Sequence, residues 1–555
     1  MAVAGMTERL GEYGAPVEAA LAEMAGNRVV ERLWARDHTL WRTSPEEITN
    51  RLGWLDSPEV MRDRIPRLED LPRELAAEDP PVTHALLLGM GGSSLAPELF
   101  ARVFRGGGDR PRLSLGVLDS TVPGAVLDRA GTLDPTRTLF IVSTKSGGTV
   151  ETLSLFTFFW NRTADLLGPE LAGRHFYAVT DPGSSLETLA DRLGFRDVFL
   201  NDPDIGGRYS ALSYFGLVPA ALAGVDIGRL LEQAERMAER CGPKTPVPEH
   251  PAARLGAVLG ELAMAGRDKA TLVLSPGIES FGDWVEQLLA ESTGKEGAGI
   301  LPVAGETLGT PEVYGTDRLF VHVRLAGDES ADEALEALAA VGHPVVRLDL
   351  EDAYDLGAQF FLWEMATAVA GRRLGIHPFD QPDVEAAKRR ARTLVDAYRT
   401  SGDLPAEDVA PAVPGAVDGF LSNAKPGDYV ALQAWLRPSV ETDDALERLR
   451  IVLRRRTTLA VTAGYGPRFL HSTGQLHKGD GGAGFFLQCI AEDPEDVPIP
   501  DEPGGGHASL TFGVLKQAQA MGDRRALEEK GRRVLTLHLG SDPAAALRQL
   551  ADGLA

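Results

Sequence analysis

The chain has 555 residues and a formal net charge of −24. That excess of acid argues against a nucleic-acid or anionic-membrane partner, because phosphate backbones reward lysine and arginine. A length of this order leads us to expect roughly three or four domains. The two cysteines, Cys241 and Cys489, are far apart in sequence. They permit neither a disulfide framework nor a Cys-based zinc site, so a reducing, cytoplasmic setting is expected. The N-terminus lacks a basic region followed by an apolar core, so no signal peptide is read. No run of about 18 apolar residues offers a membrane span.

Residues 1 to 80 read as a helical arm. Trp34, Leu40, Trp41, Ile48 and Leu52 recur at near-helical spacing. Ser44-Pro45-Glu46-Glu47 has the composition of a helix start, with a cap candidate, a proline in the first turn and acids against the dipole. From Thr83 onward, short apolar runs alternate with amphipathic stretches, at Ala85–Leu88, Leu113–Leu118, Leu139–Val142, Phe176–Val179 and Val198–Leu200. This alternation implies a parallel sheet covered on both faces. A second set comprises Thr271–Leu274, Leu319–Val323 and Val345–Leu350, followed by helical stretches over 355–374 and 384–400. A Pro/Gly/Asp-rich stretch, 401–427, reads as a linker. Beyond it lies a third set, Tyr429–Leu436, Thr458–Val461, Phe485–Ile490 and Val534–Leu537. The expected class is therefore α/β, with domains at 81–225, 226–400 and 428–555 behind the N-terminal arm.

Two loops have the chemistry of anion cradles. In Gly89-Met-Gly91-Gly92-Ser93-Ser94, glycines let the backbone approach an anion, and amides and hydroxyls at a helix start satisfy it. A dinucleotide fingerprint would need glycine where Ser94 stands. The loop Thr144-Lys145-Ser146-Gly147-Gly148-Thr149 crowds hydroxyls and glycines at the end of an apolar strand, before a helical stretch. Thr144, Ser146 and Thr149 can donate to phosphate oxygens there. Taken alone, either loop could be an ordinary capped strand-to-helix turn, but two such loops in one sheet favour a phosphate site. Gly294-Lys295 lacks the upstream glycine and following Ser/Thr of a nucleotide P-loop.

Together with Gly206-Gly207-Arg208-Tyr209-Ser210, Gln287-Leu-Leu-Ala-Glu291-Ser-Thr-Gly294-Lys295 and Asp380-Gln381-Pro382-Asp383-Val384-Glu385, these loops resemble the glucose-6-phosphate isomerase family, built on sugar isomerase (SIS) domains. The resemblance covers residues 80–400 in the family's order and is strongest to the isomerase half of transaldolase–isomerase fusions. The stretch before the first loop is too short for a transaldolase barrel of about 250 residues, so that activity is not expected. The resemblance implies interconversion of glucose 6-phosphate and fructose 6-phosphate through a cis-enediolate, in glycolysis and gluconeogenesis. It implies no cofactor and no metal, and a homodimer. Carried over by residue, Gly92, Ser93, Thr144, Lys145, Ser146, Thr149, Gly207, Gln287 and Gln381 would bind substrate. Glu291 would be the base, and Arg208 would stabilise the enediolate. Lys388, expected on one helix face with Gln381 and Glu385, would assist ring opening.

One departure stands out. The family's ring-opening histidine is expected about twenty residues after the base, where this chain reads Thr310-Pro-Glu312-Val-Tyr314. A match to its His-Ser-x-Gly-Gln motif appears much later, as His471-Ser472-Thr-Gly474-Gln475-Leu-His477. The C-terminal third then reads as a partial second copy of an SIS half that kept the histidine loop. His471 is the expected ring opener, with His477 in reserve. Six apart on a helix, the two point to different faces and do not suggest a zinc pair. Rival readings are an isomerase acting on mannose 6-phosphate or on both sugars, and a non-catalytic phosphosugar-binding SIS regulator.

Overall fold

The computed structural model describes residues 5–105, 110–406 and 409–555, with only the backbone described at 384–387. Glu385 therefore lies outside the described side chains. Among the described residues, three five-stranded sheets lie alongside a small two-stranded ribbon.

The first sheet is wholly parallel, in the order Ser114–Leu118, His84–Gly89, Thr138–Ser143, Phe176–Thr180, Asp197–Leu200. The apolar runs of its three inner strands are buried on both faces, as helix-covered parallel strands require. The first strand of this sheet in chain order, His84–Gly89, lies inside it, between the second and the third. The loops leaving His84–Gly89 and Thr138–Ser143 therefore diverge at the topological switch point, where such sheets open a crevice. These loops are the two anion-cradle candidates.

The second sheet holds Lys269–Leu274, Leu301–Val303, Arg318–Leu325 and Val345–Leu350 in parallel. Strand Met6–Arg9 adds to its edge antiparallel to Val345–Leu350. The N-terminal arm is thus not purely helical: its first described element is a strand that pairs with an edge left open by the second sheet. The third sheet contains Tyr429–Trp435, Ala460–Tyr465, Gly484–Ile490 and Arg533–His538 in parallel. Residues Ala410–Pro411 of the expected linker pair with Arg533–His538, and helix Pro414–Leu421 follows. With the edge segments Met6–Arg9 and Ala410–Pro411 set aside, the strands of each sheet, numbered by first appearance, begin 2-1-3-4.

Ser44–Glu47 does not open a helix. Glu47 adopts a left-handed φ of 54° and the chain continues into a single short turn, Thr49–Arg51. The apolar residues around it are nonetheless inside: Leu40, Trp41, Ile48 and Leu52 are buried. Successive short turns meet their periodicity instead of one long helix. This bend carries Glu47, Asn50 and Arg51 to the mouth of the crevice. Among the described residues, no helix is long and apolar enough to cross a membrane. Both cysteines are buried thiols.

Candidate active site

A cavity of about 600 Å³ opens at the switch point of the first sheet. Its wall includes all thirteen side chains or glycines expected from the sequence: Gly92, Ser93, Thr144, Lys145, Ser146, Thr149, Gly207, Arg208, Gln287, Glu291, Gln381, Lys388 and His471. They come from separate stretches of chain, and the His471 loop belongs to the third sheet.

The first loop is shaped by close approach. Gly91 has a φ of 54°, and a Cβ on Gly92 would fall 2.0 Å from the Gly207 carbonyl oxygen. Only glycine allows the 91–94 and 206–208 segments to touch here. In the second loop, Thr144 Oγ1 and Thr149 Oγ1 are 2.8 Å apart. Helix Val150–Leu167 starts immediately afterwards, so its positive end faces the cavity. Lys145 lines the cavity as well. Its ammonium pairs with Asp181 and donates to the Pro203 carbonyl at 2.8 Å. Two oxygen partners already hold it at the cavity rim.

Helix Phe281–Thr293 carries Gln287 and Glu291 on one face, because residues four apart are neighbours on a helix. Glu291 is buried, and Arg208 Nη1 stands 3.5 Å from its Oε2. The rest of the guanidinium is fixed: Nε donates to Ser292 Oγ at 2.8 Å, and Nη2 donates to the Pro378 and Asp380 carbonyls at 2.6 and 3.1 Å. Burial raises the Glu291 carboxyl above the usual carboxylate range, against the opposing pull of Arg208, His471, Gln287 and Lys388. Lys295, buried one turn beyond, holds the Asp380 carbonyl and carboxylate at 2.5 and 2.8 Å. Burial and the neighbouring Arg208 push its ammonium down to about 8. This contact fixes the loop that presents Gln381.

His471 faces the opposite wall. Its Nε2 lies 3.0 Å from Glu151 Oε1, and its carbonyl accepts from Gln287 Nε2 at 2.8 Å. Gln519 Nε2 donates to the same Glu151 oxygen at 2.7 Å, and Thr121 Oγ1 donates to Gln519 Oε1 at 2.8 Å. Burial alone would raise the Glu151 carboxyl, but His471 and Lys388 outweigh it and hold it below its ordinary value. Sequence reasoning missed Glu151, although it stands two residues after Thr149. It also missed Gln519, which no motif marks. His477, the reserve, is not in the cavity wall. Its ring sits against Tyr429 and Phe486, and burial drives its pKa well below the ordinary histidine value.

The model of the phosphoglucose isomerase family matches residues 76–300. A glucose-6-phosphate isomerase from Rubrobacter xylanophilus is 32% identical over 356 residues, covering 54% of this chain and 80% of the relative. This chain belongs to the phosphoglucose isomerase family. A second member, the glucose-6-phosphate isomerase of Heliobacterium modesticaldum, is 28% identical over 393 residues, covering 62% of this chain and 87% of that protein. Among solved structures, a hypothetical protein from Thermus thermophilus is similar with a TM-score of 0.59 and 26% identity, covering 70% of this chain and 99% of its own. A glucose-6-phosphate isomerase from Chlamydia trachomatis shares the fold, with a TM-score of 0.58 and 18% identity over 71% of this chain and 89% of its own. The His471 loop and the helix bearing Glu291 come from different sheets. The loop follows the second parallel strand of the third sheet, Ala460–Tyr465, whereas the helix bearing Glu291 follows the first parallel strand of the second sheet, Lys269–Leu274.

Proposed function

We propose that this enzyme interconverts glucose 6-phosphate and fructose 6-phosphate through a cis-enediolate, as a step of glycolysis and gluconeogenesis. The observation that carries the reading is the juxtaposition of the buried Glu291 carboxyl with Arg208, opposite two hydroxyl-rich loops that share the same cavity. Ser93, Thr144, Ser146 and Thr149, with Gln287, take the phosphate at the positive end of helix Val150–Leu167. Because the Lys145 ammonium is held by Asp181, Lys145 contributes through its main chain. Anchoring the remote phosphate supplies binding energy that aligns the reacting carbons.

His471, polarised by Glu151, and Lys388 move the protons that open the sugar ring. Glu291 then removes the proton from carbon 2 and returns it at carbon 1, while Arg208 Nη1 stabilises the negative charge on the enediolate oxygen. Desolvation raises the proton affinity of Glu291, which suits a base that must both take and give back a proton. Gly92, Gly207 and Gln381 shape the wall around the sugar.

The common 2-1-3-4 strand order supports reading the C-terminal third as a partial copy that supplies the histidine loop. The family resemblance supports a homodimer, and two buried free thiols fit a reducing cytoplasm. A phosphosugar-sensing protein without catalysis would have no use for a buried carboxylate facing a guanidinium.

The test is a coupled assay of the purified chain on fructose 6-phosphate, with mannose 6-phosphate in parallel. Glu291→Gln should lose about 10²–10⁴-fold in kcat and keep its fold and its sugar-phosphate affinity. Wild-type turnover in that variant sinks the assignment of the base. Turnover of mannose 6-phosphate equal to that of the fructose ester replaces the substrate assignment with a dual one.

A further inference from the structure

We infer that Arg468, which is outside the substrate cavity, is a positioning residue that sets His471 for ring opening. The inference rests on the ring-opening role proposed above for His471. His471 ends a four-residue turn, Arg468–His471, which is too short to be rigid by its own hydrogen bonds. Its placement depends on what holds the turn against the other two sheets.

Arg468 supplies that hold. Its Nη2 lies 2.5 Å from Glu98 Oε2 and 3.4 Å from Asp283 Oδ2, and its Nη1 lies 3.3 Å from Asp119 Oδ2. Each carboxylate belongs to a different element that already serves the site. Glu98 is on helix Leu95–Val103, which begins directly after the first anion loop. Asp119 follows strand Ser114–Leu118 and accepts from Ser94 Oγ, within that same loop, at 3.0 Å. Asp283 is on helix Phe281–Thr293, together with Gln287 and Glu291. A planar guanidinium can meet three carboxylates at once, which an ammonium cannot do with the same geometry. The far side of the turn is fixed to the same helix, by Ser472 Oγ to Glu286 Oε1 at 3.3 Å and by Gln287 to the His471 carbonyl.

The turn thus registers the imidazole against both the phosphate loop and the base. Loss of the cation at 468 leaves the buried carboxyl groups of Glu98, Asp119 and Asp283 crowded beneath it, with Arg102 pairing only Glu98. A displacement of about 1 Å in a catalytic group costs about 10²-fold in rate.

The experiment uses the full chain and reads ring opening directly. The exchange between α and β anomers of glucose 6-phosphate is followed by NMR alongside isomerisation. Arg468→Gln should lower both rates about 10²-fold, leaving the affinity for an acyclic hexitol 6-phosphate unchanged. Arg468→Lys should recover part of the loss, because it restores charge but not the fork. Anomer exchange at the parental rate in Arg468→Gln overturns the inference, as does an equal loss of hexitol phosphate affinity. If Arg468→Gln does not fold, Glu98→Gln decides: it removes the charge of the shortest arm and should slow anomer exchange several-fold, and a parental rate there overturns the inference. His471→Ala separates the two levels. Full anomer exchange in that variant defeats the ring-opening role of His471 itself, whatever Arg468 does.

Discussion

Arg208 reaches Glu291 with one guanidinium nitrogen, at 3.5 Å, while its other nitrogens are committed to Ser292, Pro378 and Asp380. The separation is longer than a strong charge-assisted bond. It holds the charge near the carboxylate without locking it, so the same nitrogen remains available to an oxyanion on the substrate.

Glu291 must be ionised to act as a base, and its pKa lies above the ordinary carboxylate value, chiefly through burial. Activity should therefore fall as pH drops through that raised value, placing the acid limb of kcat/KM above the usual carboxylate range. Arg208 opposes the shift, so Arg208→Gln should move the limb further up as well as lowering kcat. A pH–rate profile of both proteins checks this, and an unmoved limb counts against direct coupling of the two charges.

Glu151 is depressed in the folded protein, with His471 and Lys388 overcoming its burial. A carboxylate of this kind contributes stability above its unfolded pKa and loses it as pH falls through the folded value. The Tm deficit of Glu151→Gln should thus be largest near neutral pH and shrink in acid. Its kcat should fall at least tenfold, since Nε2 of His471 loses its charged partner, while KM changes little.

His477 is buried among aromatic rings away from the cavity. His477→Ala should cost about 2–4 kcal/mol of stability through the void it leaves, with kcat per folded molecule near that of the parent. His471→Ala should show the reverse pattern. Chemical denaturation combined with anomer-resolved kinetics separates the two histidines.

Gly92→Ala would place a methyl carbon 2.0 Å from the Gly207 carbonyl oxygen, which is backbone and cannot swing aside. The 91–94 and 206–208 segments must part. Overpacking of this kind costs about 1–3 kcal/mol, and the parted loops should raise KM for sugar phosphates. Substrate titration and thermal melting together report both effects.

The apolar runs marked nearly every strand of the three parallel sheets, because strands buried on both faces need uninterrupted hydrophobic stretches. The three-residue strand Leu301–Val303 was too short to stand out. Residue type likewise pointed to the hydroxyl loops, whereas Glu291 with Gln287, and His471 ahead of His477, were singled out by the family resemblance. What the linear chain did not disclose depends on contacts between residues far apart in sequence. Met6–Arg9 becomes a strand because an edge some 340 residues later is open to it. Ser44–Glu47 becomes a bend because burying Ile48 and Leu52 outweighs local helix preference. Glu151 meets His471 across 320 residues, Gln519 meets Glu151 across 368, and Asp181 captures the Lys145 ammonium across 36. Sequence determined which chemical groups were available; packing of the third sheet against the first two decided which of them face one another.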